Sequence, residues 1–490
     1  MTARTMNTIT APTDNTHTYE IYQIFTGDLH EKVLSNVKWG ENGTGTKGQA
    51  VSETILEELA GTTGSDTAKL AVISKYVNLD SDPIKTVGGK TDADAGTTRV
   101  VSVNVEPGYY LIKDVDGALD GENDSYTLYL VKVVGNVTIA PKSDVPEVEK
   151  KVKDINDSTD TDKTGWQDSA DHDIGDNVDF QLKATLADNV SSYTTYKVVF
   201  HDTLSKGLTY NNDAKVTFNG TDVTSYFDIV EENGTLTISC DNVKEFGATD
   251  SSVITVEYTA TLNDKAVIGS AGNPNEVYLE YSNNPNKSEE GDNETGNTPK
   301  DTVIVFTYKT IINKVTKNPA YDPTKDEDKD GTDSEGHTQY IPLEGAEFKL
   351  EKYNKKTGQW EEIAVVKNDE GTTFTFSGLD DGDYRLTETT TPAGYNTIDP
   401  IEFTITAEHE IESDNPALTS LSGNAANGEI TFTANTTDGS LSADVVNNAG
   451  ATLPETGGIG TTIFYIAGSV LVLAAVVLLV TKKRMNSSDK

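Results

Sequence analysis

Apolar and polar residues alternate in short runs along most of this chain, and the period of each run separates strand from helix. Thr18–Phe25 (TYEIYQIF) opens with strand-like spacing at Tyr19, Ile21 and Phe25. Gly and Asn then break the pattern at Trp39-Gly40-Glu41-Asn42-Gly43. Two stretches change to helical spacing. Val51, Ile55, Leu56 and Leu59 share one face, and Leu70, Ile73, Tyr76 and Val77 share another. Asp66 is placed to cap the second helix. Strand patterns return at 99–105, 109–115 and 126–139. The spacing predicts a β-sandwich-like domain with helical insertions over 17–145.

A junction with two prolines, Ala140-Pro141-Lys142-Ser143-Asp144-Val145-Pro146, then predicts a semi-rigid extended connector. Strand-sized runs separated by regular turns fill 146–300: EKKVKD, NVDFQLKATL, YKVVFHDTL, GLTYNND, AKVTFN, GTLTISC, SVITVEYTATL and EVYLEYSNN. They predict an immunoglobulin-like sandwich, followed by a polar loop from Asn283 to Thr298. The segment 301–449 also reads as all-β, from VIVFTYKTIINKV to LSADVVNN. The fold class expected is therefore mainly β, with tandem immunoglobulin-like sandwiches. The last segment, 450–490, differs. Its apolar run from Ile459 to Val480 reaches the ~20 residues that span a bilayer as a helix. Lys482-Lys483-Arg484 would hold its far end in the cytoplasm.

Charge and composition narrow the class. The chain has 490 residues, and its 39 basic and 79 acidic side chains give a net charge of −40. So acidic a surface repels nucleic acid and anionic membrane, so neither is expected as a partner. The single cysteine, Cys240, rules out an intrachain disulfide, so mechanical strength must come from elsewhere. The six histidines form no cluster with metal-ligand spacing. Asp326, Asp328, Asp330 and Gly331 match the start of an EF-hand calcium loop. His337 stands where the bidentate Glu belongs and no flanking helices are evident, so the loop is read as solvated and no metal or cofactor is expected. Met1–Asn15 has no apolar core of a secretion signal, and the signal of an exported protein is expected to be missing from this version of the chain.

Leu453-Pro454-Glu455-Thr456-Gly457, the apolar run and the basic stop together resemble a Gram-positive cell-wall sorting signal with its LPXTG motif. The resemblance implies that a sortase cysteine attacks the Thr456 carbonyl, releases the chain from Gly457 onward and passes the acyl group to an amine. Further upstream, Tyr384-Arg385-Leu386-Thr387-Glu388-Thr389 with Pro392-Ala393-Gly394-Tyr395 resembles the E-box of collagen-adhesin B-type (CnaB) domains. Tyr384, Leu386 and Glu388 lie two apart and so share a strand face. If that face is the core, a charged carboxylate there is costly, and a neutral carboxyl acid is expected. The resemblance implies that such an acid catalyses an amide (isopeptide) bond between Lys314, in INKV, and Asn447, in DVVNN, with Asn448 as the alternative acceptor. The segment 146–300 resembles the A-type (CnaA) domain, where aspartate is the acid. This carries a second triad onto Lys151, Asp202 and Asn275, with Lys150 and Asp179 as competitors. GYYLIKD in the first segment lacks the glutamate, and no cross-link is assigned there.

Lys142, after Ile139-Ala140-Pro141, is similar to the lysine of the pilin motif, with Ala and Ser in place of its Tyr and Asn. The whole chain thus resembles a sortase-assembled backbone pilin. That family implies a structural, non-enzymatic subunit of a fimbrium exposed on a Gram-positive cell wall, joined through Thr456 to Lys142 of the next subunit. The partners implied are a pilin-specific and a housekeeping sortase, identical subunits, accessory pilins, peptidoglycan and host surface ligands. The alternative is a monomeric wall-anchored adhesin or a basal pilin. A surface enzyme is the third class, and no convergent catalytic motif supports it.

Overall fold

A computed structural model describes the chain apart from residues 1–5, 14, 32, 64–65, 90–97, 120, 128, 134, 141–143, 160, 290–293, 364–365, 370, 427–429, 452–458 and 486–490. It is mainly β, as the alternation predicts. The chain forms two compact units. The first comprises Met1–Asn313, Phe348–Thr387 and Pro400–Asp444, and the second Lys314–Glu347, Glu388–Asp399 and Val445–Lys490.

Within the first unit, the long strand Thr18–His30 lies inside a five-stranded sheet, between Val33–Trp39 and Gly108–Asp114. Both of its faces are covered, which explains why TYEIYQIF carries apolar residues at both parities, Tyr19 and Ile21 at one and Tyr22 and Ile24 at the other. Tyr19 and Ile21 join Tyr110 and Ile112 against Ile9 and Val105 of a small three-stranded sheet and Ile139 just after its last strand. Tyr22, Ile24 and Leu111 face the opposite way, toward Ile55, Leu56 and Leu59 of the helix Glu53–Gly61 and Ile73 of the helix Asp66–Ile73. The two helical insertions thus roof one side of the sheet.

Two seven-stranded sheets follow. In one, Glu147–Asn156, Asn177–Thr185 and Val253–Leu262 are neighbours, and in the other Asp301–Phe306, Asn273–Ser282, Val198–Leu204 and Thr235–Cys240 are. Their inward residues, among them Phe180, Leu182 and Val256 on the first and Phe200, Ile238 and Leu279 on the second, form one core. The apolar run VIVFTYKTIINKV is two strands. Asp301–Phe306 pairs with Asn273–Ser282, and Tyr308–Lys317 pairs with Thr373–Leu379. The change of sheet falls at Thr307, a buried residue whose hydroxyl donates to the Leu379 carbonyl. Short strands such as Asp228–Glu232 and Thr295–Asn297 carry too little apolar patterning to predict them, and each pairs through its backbone with a neighbouring strand. Val366–Asp369, Thr373–Leu379, Tyr308–Lys317, Ser440–Val446 and Thr433–Asn435 are consecutive in a further sheet, and Gln359–Glu362, Glu347–Asn354, Gly382–Thr390, Ile401–His409 and Leu418–Ala425 in another.

In the second unit, Tyr340–Pro342 pairs with Val315, Thr316 and Lys317. The chain's final helix, Ile459–Met485, contains a 20-residue stretch, Phe464–Lys483, of mean hydropathy 2.5. That length and composition suffice to cross a bilayer.

Buried charge in the first unit is held in tight pairs. Lys352 places its Nζ 2.6 Å from Asp173 Oδ2 and 2.9 Å from Asp380 Oδ2, all three side chains being nearly inaccessible. His17 bridges Asp114 at 3.0 Å and Asp124 at 2.8 Å. Burial disfavours the charged ring, yet the two carboxylates outweigh it and hold its pKa up at about 9. The same balance, with Asp154 and Asp171 as partners, raises His409 to about 9.

Two outcomes follow. Lys352→Met strands two carboxyl groups in the core, and urea unfolding should show a loss on the order of 3 kcal/mol. Because the folded pKa of each histidine lies above its unfolded value near 6.5, their contribution is full below that pH and is lost as pH rises through about 9. The melting temperature should therefore fall between pH 7 and 9.5, and a His17→Gln/His409→Gln variant should show a flatter dependence.

Candidate functional site

Two buried sites each bring together a lysine, a carboxyl side chain and an asparagine. In the first unit, the strand Glu147–Asn156 alternates so that Lys150, Val152 and Asp154 point inward. Lys150 is 0% exposed. Its Nζ lies 2.7 Å from each carboxylate oxygen of Asp202 and 3.1 Å from the Tyr258 hydroxyl. The rings of Phe180 and Tyr258 flank the amine, with centroids 5.4 and 5.5 Å away. Burial pulls the Lys150 pKa down from its ordinary value, against the attraction of Asp202. Asp202 and Asn275 are also 0% exposed, on the paired strands Val198–Leu204 and Asn273–Ser282 of the opposite sheet. Asn275 Nδ2 donates to the Tyr258 hydroxyl at 2.7 Å, and that hydroxyl donates to Asp202 Oδ2 at 2.6 Å.

This geometry corrects the choice of Lys151. Lys151 is partly exposed on the other face of the strand and is paired with Asp168. The sequence held the signal: Val148, Lys150 and Val152 share one parity, and that parity is the apolar one. Asp179 is excluded by the same rule, since it lies between the buried Val178 and Phe180 and faces away from them.

In the second unit, Lys314 and Asn447 are 0% exposed and Glu388 is 6% exposed. Glu388 ends the inward series of Tyr384 and Leu386 on Gly382–Thr390. Lys314 Nζ donates to Asn447 Oδ1 and lies 3.0 Å from Glu388 Oε1. Asn447 Nδ2 donates to the same Oε1 at 3.0 Å. The Thr391 hydroxyl and the Ile398 amide donate to Oε2 at 3.1 and 3.2 Å, which fixes the carboxyl group in place. Burial lowers the Lys314 pKa, while Glu388 acts in the opposite direction. Asn448 is exposed, so the alternation favours Asn447 as the acceptor.

Each site therefore holds an amine, a carboxyl group and a carboxamide away from water. Such a set can exchange protons and carry out aminolysis of the amide with no cofactor. A carboxyl group within hydrogen-bond reach of the amine can take its proton and return one to the leaving nitrogen.

The acidic loop uses its carboxylates internally. Asp326 accepts from the amides of Asp330 and Gly331 and from the Tyr321 hydroxyl. Asp333 accepts from the amides of Asp322, Glu335 and His337. Elsewhere, Asp154, Asp171 and His409 have ligand atoms within 4.8 Å of one another, as do Asp171, Asp380 and Asp381, and Asp157, Asp173 and Asp176. Lys352 and His409 already supply positive charge to Asp173, Asp380, Asp154 and Asp171. Lys142 and Leu453, Pro454, Glu455, Thr456 and Gly457 lie outside the described residues.

Comparison with known proteins gives three family matches. Residues 174–285 match the Gram-positive pilin backbone subunit 2, Cna-B-like domain. Residues 332–416 match the SpaA prealbumin-like fold domain, and residues 445–487 match the LPXTG cell wall anchor motif. The chain is 25% identical over 424 residues to the trypsin-resistant surface T6 protein of Streptococcus pyogenes serotype M6, covering 74% of this chain and 72% of that one. The fold is similar to the T6 backbone pilin of serotype M6 Streptococcus pyogenes, with a TM-score of 0.55 and 17% identity over 91% of this chain and 98% of that one. It is also similar to the major pilin SpaD of Corynebacterium diphtheriae, with a TM-score of 0.50 and 14% identity over 92% and 98% of the two chains. Three segments of the chain thus match models of a Gram-positive pilin backbone domain, a SpaA prealbumin-like domain and an LPXTG cell-wall anchor, and its fold is similar to that of backbone pilins.

Proposed function

We propose that the protein is polymerised head to tail by a pilin-specific sortase, which joins Thr456 of one subunit to Lys142 of the next. Two internal amide bonds, Lys150–Asn275 and Lys314–Asn447, stiffen each subunit. Asp202 and Glu388 are the acids of these two reactions. The observation that carries the reading is the pair of sealed lysine–carboxyl–asparagine sites in a chain whose one cysteine cannot form a disulfide within it. A housekeeping sortase then transfers the finished polymer to peptidoglycan, and accessory pilins and host surface ligands complete its partners. The protein's chemistry on this reading is self-cross-linking, in keeping with its matches to structural pilin subunits.

The two bonds differ in what they join. Lys150 and Asn275 sit on facing sheets, so their bond crosses the sandwich. Lys314 lies on Tyr308–Lys317 and Asn447 directly follows Ser440–Val446, and those strands are neighbours in one sheet. Each bond closes a loop of more than 100 residues, which contributes about 4–5 kcal/mol through the unfolded state.

Intact mass should fall by about 17 Da for each bond, since each releases one ammonia. Lys150→Ala should restore one increment and Lys151→Ala none. Glu388→Ala should restore the other and make 301–449 sensitive to protease. An unchanged mass in Glu388→Ala would remove that residue from the role of acid. In wall extracts, an SDS-resistant ladder should appear on immunoblots and collapse to single bands in Lys142→Arg. Single bands from the unaltered protein would instead favour a monomeric adhesin.

A further inference from the structure

The two sites solve the same problem with carboxyl groups of different length. At the Lys314 site, Glu388 Oε1 is 3.0 Å from both the attacking nitrogen and the nitrogen that would leave. One carboxyl oxygen therefore touches both ends of the reaction. Asp202 is a methylene shorter. Both its oxygens lie 2.7 Å from Lys150 Nζ, but Asn275 Nδ2 donates to the Tyr258 hydroxyl. The Tyr258 hydroxyl in turn reaches Asp202 Oδ2 at 2.6 Å. A continuous line of hydrogen bonds thus runs from Nζ to Asp202, to Tyr258, to Nδ2.

We propose that Tyr258 is a catalytic residue of amide formation at this site, passing a proton from Asp202 to the departing nitrogen of Asn275. The inference rests on the reading that Lys150 and Asn275 become joined. The Lys150 ammonium first gives one proton to the Asp202 carboxylate. The neutral Nζ then attacks Cγ of Asn275 and forms the new C–N bond. Asp202 hands its proton to the Tyr258 oxygen as Tyr258 hands its own to Nδ2. The Cγ–Nδ2 bond breaks and ammonia leaves. Nζ sheds its second proton to Asp202, which ends as a neutral acid. Six hydrogens, counting the one on Tyr258, and zero net charge stand on both sides.

The rest of the Tyr258 environment suits this role. The side chain is 3% exposed. Its ring stacks on Phe180 at 5.4 Å and meets Tyr210 edge-on at 5.7 Å, so the hydroxyl is held in position by packing. Burial and the neighbouring Asp202 raise the phenol pKa well above its ordinary value, which keeps the proton available for transfer. Tyr258→Phe preserves the ring contacts and removes only the oxygen.

The test is to make the full chain by cell-free translation, sample it over time and quantify the two cross-linked peptides by mass spectrometry. Tyr258→Phe should slow the Lys150–Asn275 bond about 100-fold, the usual scale of a lost proton donor. The Lys314–Asn447 bond should form at its normal rate in the same molecules, which reports that folding is intact. Asp202→Glu/Tyr258→Phe should recover most of the rate, because the longer acid reaches Asn275 directly. Tyr258→Phe at the unaltered rate, with Asp202→Ala forming no bond, would overturn the relay while leaving the cross-link in place. A double variant as slow as Tyr258→Phe would show that a longer acid cannot replace the hydroxyl and would also overturn the relay. Absence of the Lys150–Asn275 peptide from the unaltered chain would instead remove the reading on which the relay stands.

Discussion

An ammonium group held against a carboxyl group inside a dry sheet interior is the contact on which the rest of this structure depends. Removing either charge from water costs several kcal/mol, and only close pairing makes the arrangement tolerable. Lys150 with Asp202 and Lys314 with Glu388 meet that condition at 2.7 and 3.0 Å. The low dielectric that makes such a pair costly also makes proton transfer within it easy, because the neutral amine and neutral acid need no solvation. Under the proposed reaction, a side-chain amide within reach makes such a pair reactive. The sandwich supplies the exclusion of water, the fixed distances and the apolar walls.

Under the proposed linkages, tension follows a short route through each subunit. It enters at Lys142, reaches Lys150, crosses to Asn275, runs to Lys314, crosses to Asn447 and leaves at Thr456. The strands in 151–274 and 315–446 are bypassed, so their hydrogen-bonded ladders need only keep the sites dry. Residues before Lys142 lie off the route. In the GYYLIKD strand of that segment, Lys113 forms ion pairs to Glu20 and Asp116. The whole arrangement does without disulfides, which Cys240 alone could not provide.

Much of the fold was legible because the strands are amphipathic and the turns are rich in Gly and Asn. The alternation in NVDFQLKATL and SVITVEYTATL leads directly to two neighbouring strands that pair in register over 177–185 and 253–261. Short edge strands were not legible, since Asp228–Glu232 has only Ile229 against the core and pairs along its whole length with a neighbouring strand. The continuous strand-like run around Thr307 also concealed a change of sheet, because no turn signal separates the two strands.

By itself the sequence determined the secondary-structure period, the membrane-length helix, the LPXTG segment and the spacing that sets Tyr384, Leu386 and Glu388 on one face. These are properties of neighbouring residues, and local periodicity is enough to specify them. The parity of Val148, Lys150 and Val152 also pointed to Lys150, but only the tertiary structure set its amine against Asp202 and brought Tyr258 between Asp202 and Asn275. Those contacts join residues far apart in the chain and on different sheets. Their distances depend on how two twisted sheets pack, which no single strand records.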